Sequence, residues 1–263
     1  LPAPDLTLLL DAARGAGEIA QRYWRQEPEV WEKDHGAGPV SEADLAVNDF
    51  LRDHLTGARP NYGWLSEESP DEPSRLDATS CFIVDPIDGT RAFIDGQQGF
   101  SHSLAVTTGD RVTAAVVHLP ILGLTYAAVP DGPATLNGQP IHVRDATLDT
   151  ADILAGRPVM EPGFWRDHQG PPFKRSFRPS LAWRLCLVAE GRFDATLSFR
   201  AAWEWDIAAG SLIAERAGAR VTNRHGRAMQ FNSPEARVDG VVIAAPALHA
   251  ELRGAMVAPI RPV

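Results

Sequence analysis

Apolar residues recur at helical spacing through the first two dozen positions: Leu6, Leu9, Leu10, Ala13, Ala16, Ala20, Tyr23 and Trp24. That rhythm predicts an amphipathic opening helix. A second helix is expected after "GPVSEAD", with Val47, Phe50, Leu51 and Leu55 as its apolar stripe. Ser41 with an acid three residues on has the form of a capping box, in which two side chains satisfy two orphan amides of the first turn. The period then shortens to two. A strand ending at Val84 is followed by "SHSLAVTT", "RVTAAVVHL" and "GLTYAAV", with "GD" and "LPILG" as turns and "LNGQP" as a further turn. Such spacing predicts an antiparallel meander, so the first half reads as helices packed on an antiparallel sheet.

The second half changes rhythm. "DILAG" reads as strand, "SLAWRLCLVAEG" as helix, "FDATLSF" as strand and "DIAAGSLIAERAG" as helix, followed by "ARVT" and "GVVIAAP" as strands and a closing helix. Alternation of this kind implies an α/β layer. The fold class is therefore α/β, with an α+β first half at 1–147 and an α/β second half at 148–263, the boundary falling between Asp145 and Ala151. The stretch from Arg157 to Pro179, with "EPG", "GPP" and several charges, is the expected mobile loop. Val112 through Pro130 contains no formally charged residue and is nearly long enough to span a bilayer. His118, Pro120 and Gly123 interrupt it, and two strands joined at "LPILG" explain it better.

Composition narrows the picture. The chain has 263 residues, of which 44% are apolar, enough for sizeable cores. Its 25 basic against 34 acidic residues give a net charge of −9, which argues against a binder of nucleic-acid polymers or membrane surfaces. Anions could still bind locally if a cation supplied the positive charge. Cys81 and Cys186 lie far apart with no zinc-like spacing, which fits a reducing cytoplasm. The opening residues show neither a basic n-region nor a cleavage signature of a secretory signal, so a cytoplasmic protein is expected.

Catalytic signatures built on glycine-rich phosphate loops, a nucleophilic serine elbow or a zinc-binding histidine pair are absent. The 8 histidines are scattered and read as surface or packing residues. What remains is acid: Asp44 in "SEAD", Glu67 and Glu68 in "WLSEES", Asp85 and Asp88 in "DPIDGT", and Asp206 in "WEWDIAAG". Singly, each has a structural explanation, as a helix cap, a solvated loop acid, a turn former or a partner of a helix dipole. Three of the four stretches, however, set their acids beside Trp64 and Leu65, Ile83 and Val84, or Trp203 and Trp205, next to a core. Carboxylates gathered there would repel one another unless a cation neutralised them. Hard oxygen ligands suit Mg2+, which keeps water and substrate phosphate in its shell. On this reading Asp85 and Asp88 leave a strand end to face one metal cluster, and the turn exposes the carbonyl of Ile87 as a further ligand. Gly89 allows close backbone approach, and the amides of Gly89 and Thr90 cradle a phosphate oxygen.

"WLSEES", "DPIDGTRAF" and "WEWDIAAG", in that order, resemble the three metal-binding motifs of the inositol monophosphatase superfamily of magnesium-dependent, lithium-sensitive phosphatases. The likeness runs from Leu6 to Leu252 and implies a layered α/β/α/β/α sandwich that hydrolyses small phosphomonoesters with two or three Mg2+ ions. Carried over by position, Glu67 and Asp85 with the Ile87 carbonyl would hold the first metal, and Asp85, Asp88 and Asp206 the second. Thr90 would orient the attacking water, with Asp44 as its acidic partner and Glu67 beside them in the catalytic set. Gly89, Thr90, Arg184 and Asp206 would meet the substrate. Where the inositol-preferring branch has an aspartate before its V-T pair, this chain has Gly38 and Pro39. "PVSEAD" and "LCLVAEG" look more like the 3′(2′),5′-bisphosphate nucleotidase branch, which acts on adenosine 3′,5′-bisphosphate. That branch's serine-rich lead into the helix is replaced here by "RPSLAWR", with Arg184 where a lysine would stand. The alternatives are an inositol or histidinol phosphate phosphatase and, from another class, a non-catalytic metal- or phosphate-binding regulator. The resemblance leaves open whether the chain is a homodimer.

Overall fold

The structure is a computed structural model that describes residues 4–33, 38–166, 168 and 173–257. The first helix, α1 (Asp5–Tyr23), turns Leu9, Ala12, Ala13, Ala16 and Ala20 inward. A short hairpin follows, β1 (Val30–Glu32) with β2 (Pro39–Ser41), and leads directly into α2 (Glu42–Ala58). The capping box is formed at that start. Next come β3 (Gly63–Ser66), β4 (Ser80–Asp88), the single helical turn α3 (Thr90–Ile94), β5 (Ser101–Thr108), β6 (Arg111–Leu119), β7 (Leu124–Ala128), β8 (Thr135–Leu136) and β9 (Gln139–Pro140).

Strands β3 to β9 form one seven-stranded sheet in chain order among the described residues. Two features differ from the sequence expectation. The edge strand β3 pairs with β4 in parallel, so the first sheet is mixed; the 3-10 turn at Pro73–Asp77 lies on the connection that carries the chain back for that pairing. The strand expected to end at Val84 continues to Asp88, because β5 keeps pairing with it past the acids. Val112–Pro130 is, as read, two antiparallel strands, and no helix among the described residues is long and apolar enough to cross a membrane.

The second sheet is built from β10 (Asp152–Ala155), β11 (Lys174–Ser176), β12 (Ala195–Ser198), β14 (Arg220–Thr222) and β16 (Val241–Ala244), in the order β11-β10-β12-β16-β14. Between its strands run α4 (Leu181–Ala189) and α5 (Glu204–Arg216), and α6 (Pro246–Ala255) closes the described chain. A small pair, β13 (Ala202–Trp203) with β15 (Arg237–Val238), lies beside the start of α5. Within the expected loop from Arg157 to Pro179, residues 167 and 169–172 lie outside the described set; the remainder includes two 3-10 turns and β11.

The period-two alternation of the strands explains the layers. Phe82, Val84, Leu104, Val106 and Val116 face α1 and α2, while Cys81, Ile83, Ala105, Ala115 and Val117 face α4 and α5. In the second sheet Leu154 and Ile243 join that same middle core, and Ile153, Ala155, Leu197 and Val242 turn outward to Leu248 and Leu252 of α6. Three cores thus hold five layers together, the middle core filling both faces of the α4–α5 layer, in an α/β/α/β/α sandwich. Each fully buried leucine or isoleucine contributes about 1.5 to 3 kcal/mol relative to exposure. The middle core matters most for function, because it holds helices of the second half against the sheet of the first.

Close approach of α4 and α5 depends on Gly210. A Cβ there would lie 2.7 Å from Cβ and 2.9 Å from Cδ2 of Leu185. Gly210→Ala should therefore lower stability in urea titrations by about 1 to 3 kcal/mol, the scale of core overpacking. Adding Leu185→Gly, which removes the Cβ at 2.7 Å, should make the double variant cost less than the sum of the two single ones. Strict additivity would mean that the helices do not meet at that point.

Candidate metal centre

The acids are brought together by backbone pairing. On β5, Ser103 and Ser101 are two residues apart and share a face; their partners on β4 are Asp85 and Asp88, three residues apart. One extra residue is therefore accommodated as a bulge, which returns Asp88 to the face that carries Asp85. That face looks toward the second half: Ser103 Oγ donates to the Trp205 carbonyl at 2.8 Å, and Ser101 Oγ lies 3.0 Å from Ser180 Oγ. Proline and aspartate in "DPID" thus mark an irregularity inside a strand rather than its end.

Glu67 follows from the parallel edge. Ser66 is level with Val84, and the Glu67 amide donates to the Val84 carbonyl at 3.2 Å, which seats Glu67 beside Asp85. Ser66 Oγ in turn donates to Asn48 of α2 at 2.7 Å. Asp206 comes from the first turn of α5. Carboxylate oxygens of Glu67, Asp85 and Asp206 all lie within 4.8 Å of one another.

Asp88 is not one of the three that gather within that distance; it is near enough to repel Asp85 and Asp206, and one of its oxygens is already engaged, Oδ2 accepting from Ser180 Oγ and from the Ala182 amide, both at 2.6 Å. Thr90 Oγ1 lies 3.0 Å from Asp44 Oδ1 and 3.2 Å from the Ile87 carbonyl. The other oxygen of Asp44 accepts from the Ser41 amide at 2.9 Å and from Ser41 Oγ at 2.5 Å. Capping and contact with Thr90, which sequence alone presents as rival explanations, use different atoms of one carboxylate. Gly89 has φ +100°, and a Cβ there would meet Phe100 and Ser180 backbone only at 3.6 Å, ordinary contact, so left-handed backbone rather than crowding calls for glycine.

The electrostatics follow from burial and crowding. Burial pushes Asp85 well above the ordinary carboxylate range, and Glu67, Asp88 and Asp206 add repulsion. Burial does the same to Asp206, followed by repulsion from Asp88 and Glu67. Asp88 is raised to about 6 by burial, although the Ser180 hydroxyl and the amides of Ala182 and Leu181 pull it back. Asp85 Oδ1 is buried and has no hydrogen-bond partner among the described residues. An orphaned buried oxygen among mutually repelling carboxylates is what a hard divalent cation would satisfy, so the donor set fits Mg2+.

Arg184 is also at hand. It donates through Nε to the Arg178 carbonyl at 2.5 Å and through Nη2 to the Pro179 carbonyl at 3.2 Å, and it lies 4.2 Å over the Phe177 ring. Attraction to Asp88 and Asp206 opposes a burial that lowers its pKa.

Several residues were not singled out by sequence. Lys33 Nζ bridges Glu67 at 2.7 Å and Glu68 at 2.5 Å, and nothing local in the chain foretells a contact across more than thirty residues. These acids hold the Lys33 ammonium above its usual pKa against the opposing effect of burial, while burial raises Glu68 to about 7. Ser180 is the N-cap of α4, a signal that could have been found. His102 and His118, read as scattered, are cross-strand partners with rings stacked at 6.1 Å. Burial lowers His102 to about 3, so the ring is neutral, and its Nδ1 meets the Pro86 carbonyl inside the bulge.

The family model described as "Inositol monophosphatase family" matches residues 2–260. The chain is 30% identical to inositol monophosphatase 1 of Solanum lycopersicum, over 87% of this chain and 87% of that one. It is 31% identical to the 3′(2′),5′-bisphosphate nucleotidase CysQ of Salmonella typhimurium, over 85% and 92%. Among solved structures, the extragenic suppressor protein suhB of Bartonella henselae superposes with a TM-score of 0.82 at 27% identity, covering 94% of this chain and 96% of that one.

Asp88 generates a pH prediction for the metal-free protein. Its folded pKa of about 6 lies above the ordinary 3.8, so its contribution favours the fold below pH 3.8 and is lost as pH rises through about 6. Asp88→Asn should remove on the order of 2 kcal/mol of that decline between pH 4 and pH 7. Urea titrations in chelator at the two pH values test this; unchanged pH dependence in the variant would count against it.

Proposed function

Because the chain belongs to the inositol monophosphatase family and is thus a phosphatase, we propose that it is a Mg2+-dependent phosphomonoesterase acting on adenosine 3′,5′-bisphosphate, which it converts to AMP and phosphate. Glu67, Asp85, Asp88 and Asp206 with the Ile87 carbonyl would hold two or three Mg2+ ions. Bound there, the metal supplies Lewis acidity that neutralises phosphate charge and stabilises the leaving oxygen. The protein's own part is positional. Asp44 is held by Ser41, and with its Oδ1 accepting the Thr90 hydroxyl proton, Thr90 Oγ1 is left with lone pairs for the attacking water. Burial raises the Asp44 pKa against the pull of its hydrogen bonds, which makes Oδ1 a better terminus for the water's proton, passed by way of Thr90. Amides of Gly89 and Thr90 would take a phosphate oxygen.

The observation that carries the choice of substrate is Arg184. In a protein of net charge −9, a bisphosphate needs a placed cation for its second anionic group, and this guanidinium is pre-set by two backbone carbonyls near Asp88 and Asp206. The resemblance of "PVSEAD" and "LCLVAEG" to the nucleotidase branch supports the same choice. Identity of 30% with an enzyme named inositol monophosphatase favours inositol 1-phosphate as the second reading.

Phosphate release from adenosine 3′,5′-bisphosphate, inositol 1-phosphate, histidinol phosphate and fructose 1,6-bisphosphate, each with Mg2+ and with chelator, separates these readings. The nucleotide should be turned over best, and only with metal. Arg184→Ala should lower kcat/KM for it by about 1.5 to 3 kcal/mol and leave inositol 1-phosphate nearly unchanged. Equal losses on both would make Arg184 structural, and faster turnover of inositol 1-phosphate by the unmutated protein would overturn the substrate.

Asp44 and Thr90 should behave as one device. The two alanine variants and their double combination should lose similar activity, because parts of a unit are not additive. A loss of stability alone in Asp44→Ala would return Asp44 to a purely capping role.

A further inference from the structure

Asp206 is the one carboxylate of the cluster supplied by the second half, so its place depends on where the first turn of α5 sits. Trp203, the N-cap residue of that helix, makes no side-chain cap. Two residues before Asp206, Glu204 is completely buried, and its carboxylate reaches away from the helix to the turn at Asn232 and Ser233. Oε2 accepts from the Asn232 amide at 2.6 Å; Oε1 accepts from the Ser233 amide at 3.0 Å and from Ser233 Oγ at 2.5 Å.

Arg75, itself only 2% exposed, holds the same turn from the first half. Its Nη1 donates to Asn232 Oδ1 at 2.7 Å and its Nη2 to the Ser233 carbonyl at 2.8 Å, while Asp71 takes Nε and Nη2 at 2.6 and 3.0 Å. Arg75 lies on the connection between β3, which Glu67 directly follows, and β4, which carries Asp85. A path of charge-assisted bonds therefore runs from Arg75, on that connection, through the turn and Glu204 to the helix start that presents Asp206.

These bonds do little for α5 as a helix, since Glu204 spends its oxygens on another segment. What they do is tie the start of the helix to the connection between β3 and β4. We propose that Glu204 is a positioning residue for the metal centre, holding Asp206 in register with Glu67 and Asp85, with Arg75 as its anchor across the two halves. The proposal rests on the reading of those three acids as a cation site.

The test is a calorimetric titration of Tb3+ into metal-free protein, which needs no turnover. Outer partners of metal ligands typically alter affinity 10- to 100-fold, so Glu204→Gln should weaken Tb3+ binding about tenfold. Asp194→Asn serves as the control: it breaks a bidentate pair between half-exposed Arg144 and buried Asp194, at 2.5 and 3.0 Å, that lies on no bonded route to Asp206 among the described residues. It should lower Tm while leaving Tb3+ affinity within about twofold, below the range for outer partners. Should Glu204→Gln fail to fold, Ser233→Ala removes a single bond to the same carboxylate and should weaken Tb3+ about threefold, a fraction of that range. Undiminished affinity in the variant that folds, or an equal loss in Asp194→Asn, would overturn the positioning role. Failure of the unmutated protein to bind Tb3+ would instead overturn the cation site on which it rests.

Discussion

Carboxylates crowded at the edge of a core oppose their own assembly. Burial disfavours each charge, and each neighbour disfavours it further, which is why Asp85 and Asp206 are pushed far from the ordinary range. Such a group stays together only if surrounding structure over-determines it. Here the strand register places Glu67 beside Asp85, a bulge keeps Asp88 on the same face, and a helix packed in the middle core delivers Asp206. Lys33, Ser180 and the amide of Ala182 offset part of the charge.

The layering follows from the same demand. If the two sheets had separate cores, Asp206 could drift relative to Asp85 by as much as the interface allowed. Instead α4 and α5 pack on both sheets within one shared core, with Leu185 and Gly210 in close approach. Dense packing has low compressibility, so a displacement at the start of α5 would have to be transmitted through many contacts at once. The site therefore inherits its rigidity from apolar packing, although every group that defines it chemically is polar.

The composition of one carboxylate shows how a site can be hidden in a structural motif. Asp44 closes a capping box with Ser41 and meets Thr90 with its remaining oxygen. A cap needs only one acceptor oxygen, and an aspartate has two. The helix start and the threonine after the bulge are therefore registered to one another by a single side chain.

Much of this was legible in the chain. Alternation in "RVTAAVVHL" and "GLTYAAV" and the stripe through Leu51 and Leu55 predict the elements, because hydrophobic period and turn chemistry act over a few residues, while the layering came from the family resemblance that the three acidic motifs carry. Tertiary structure alone decided the rest. That β3 pairs in parallel, that β4 runs on to Asp88 through a bulge, that His102 meets the Pro86 carbonyl and that Arg75 and Glu204 share one turn all depend on partners distant in sequence. A side chain's local surroundings determine which element it joins, whereas which buried charge it must answer is decided only when the two sheets close on their common core.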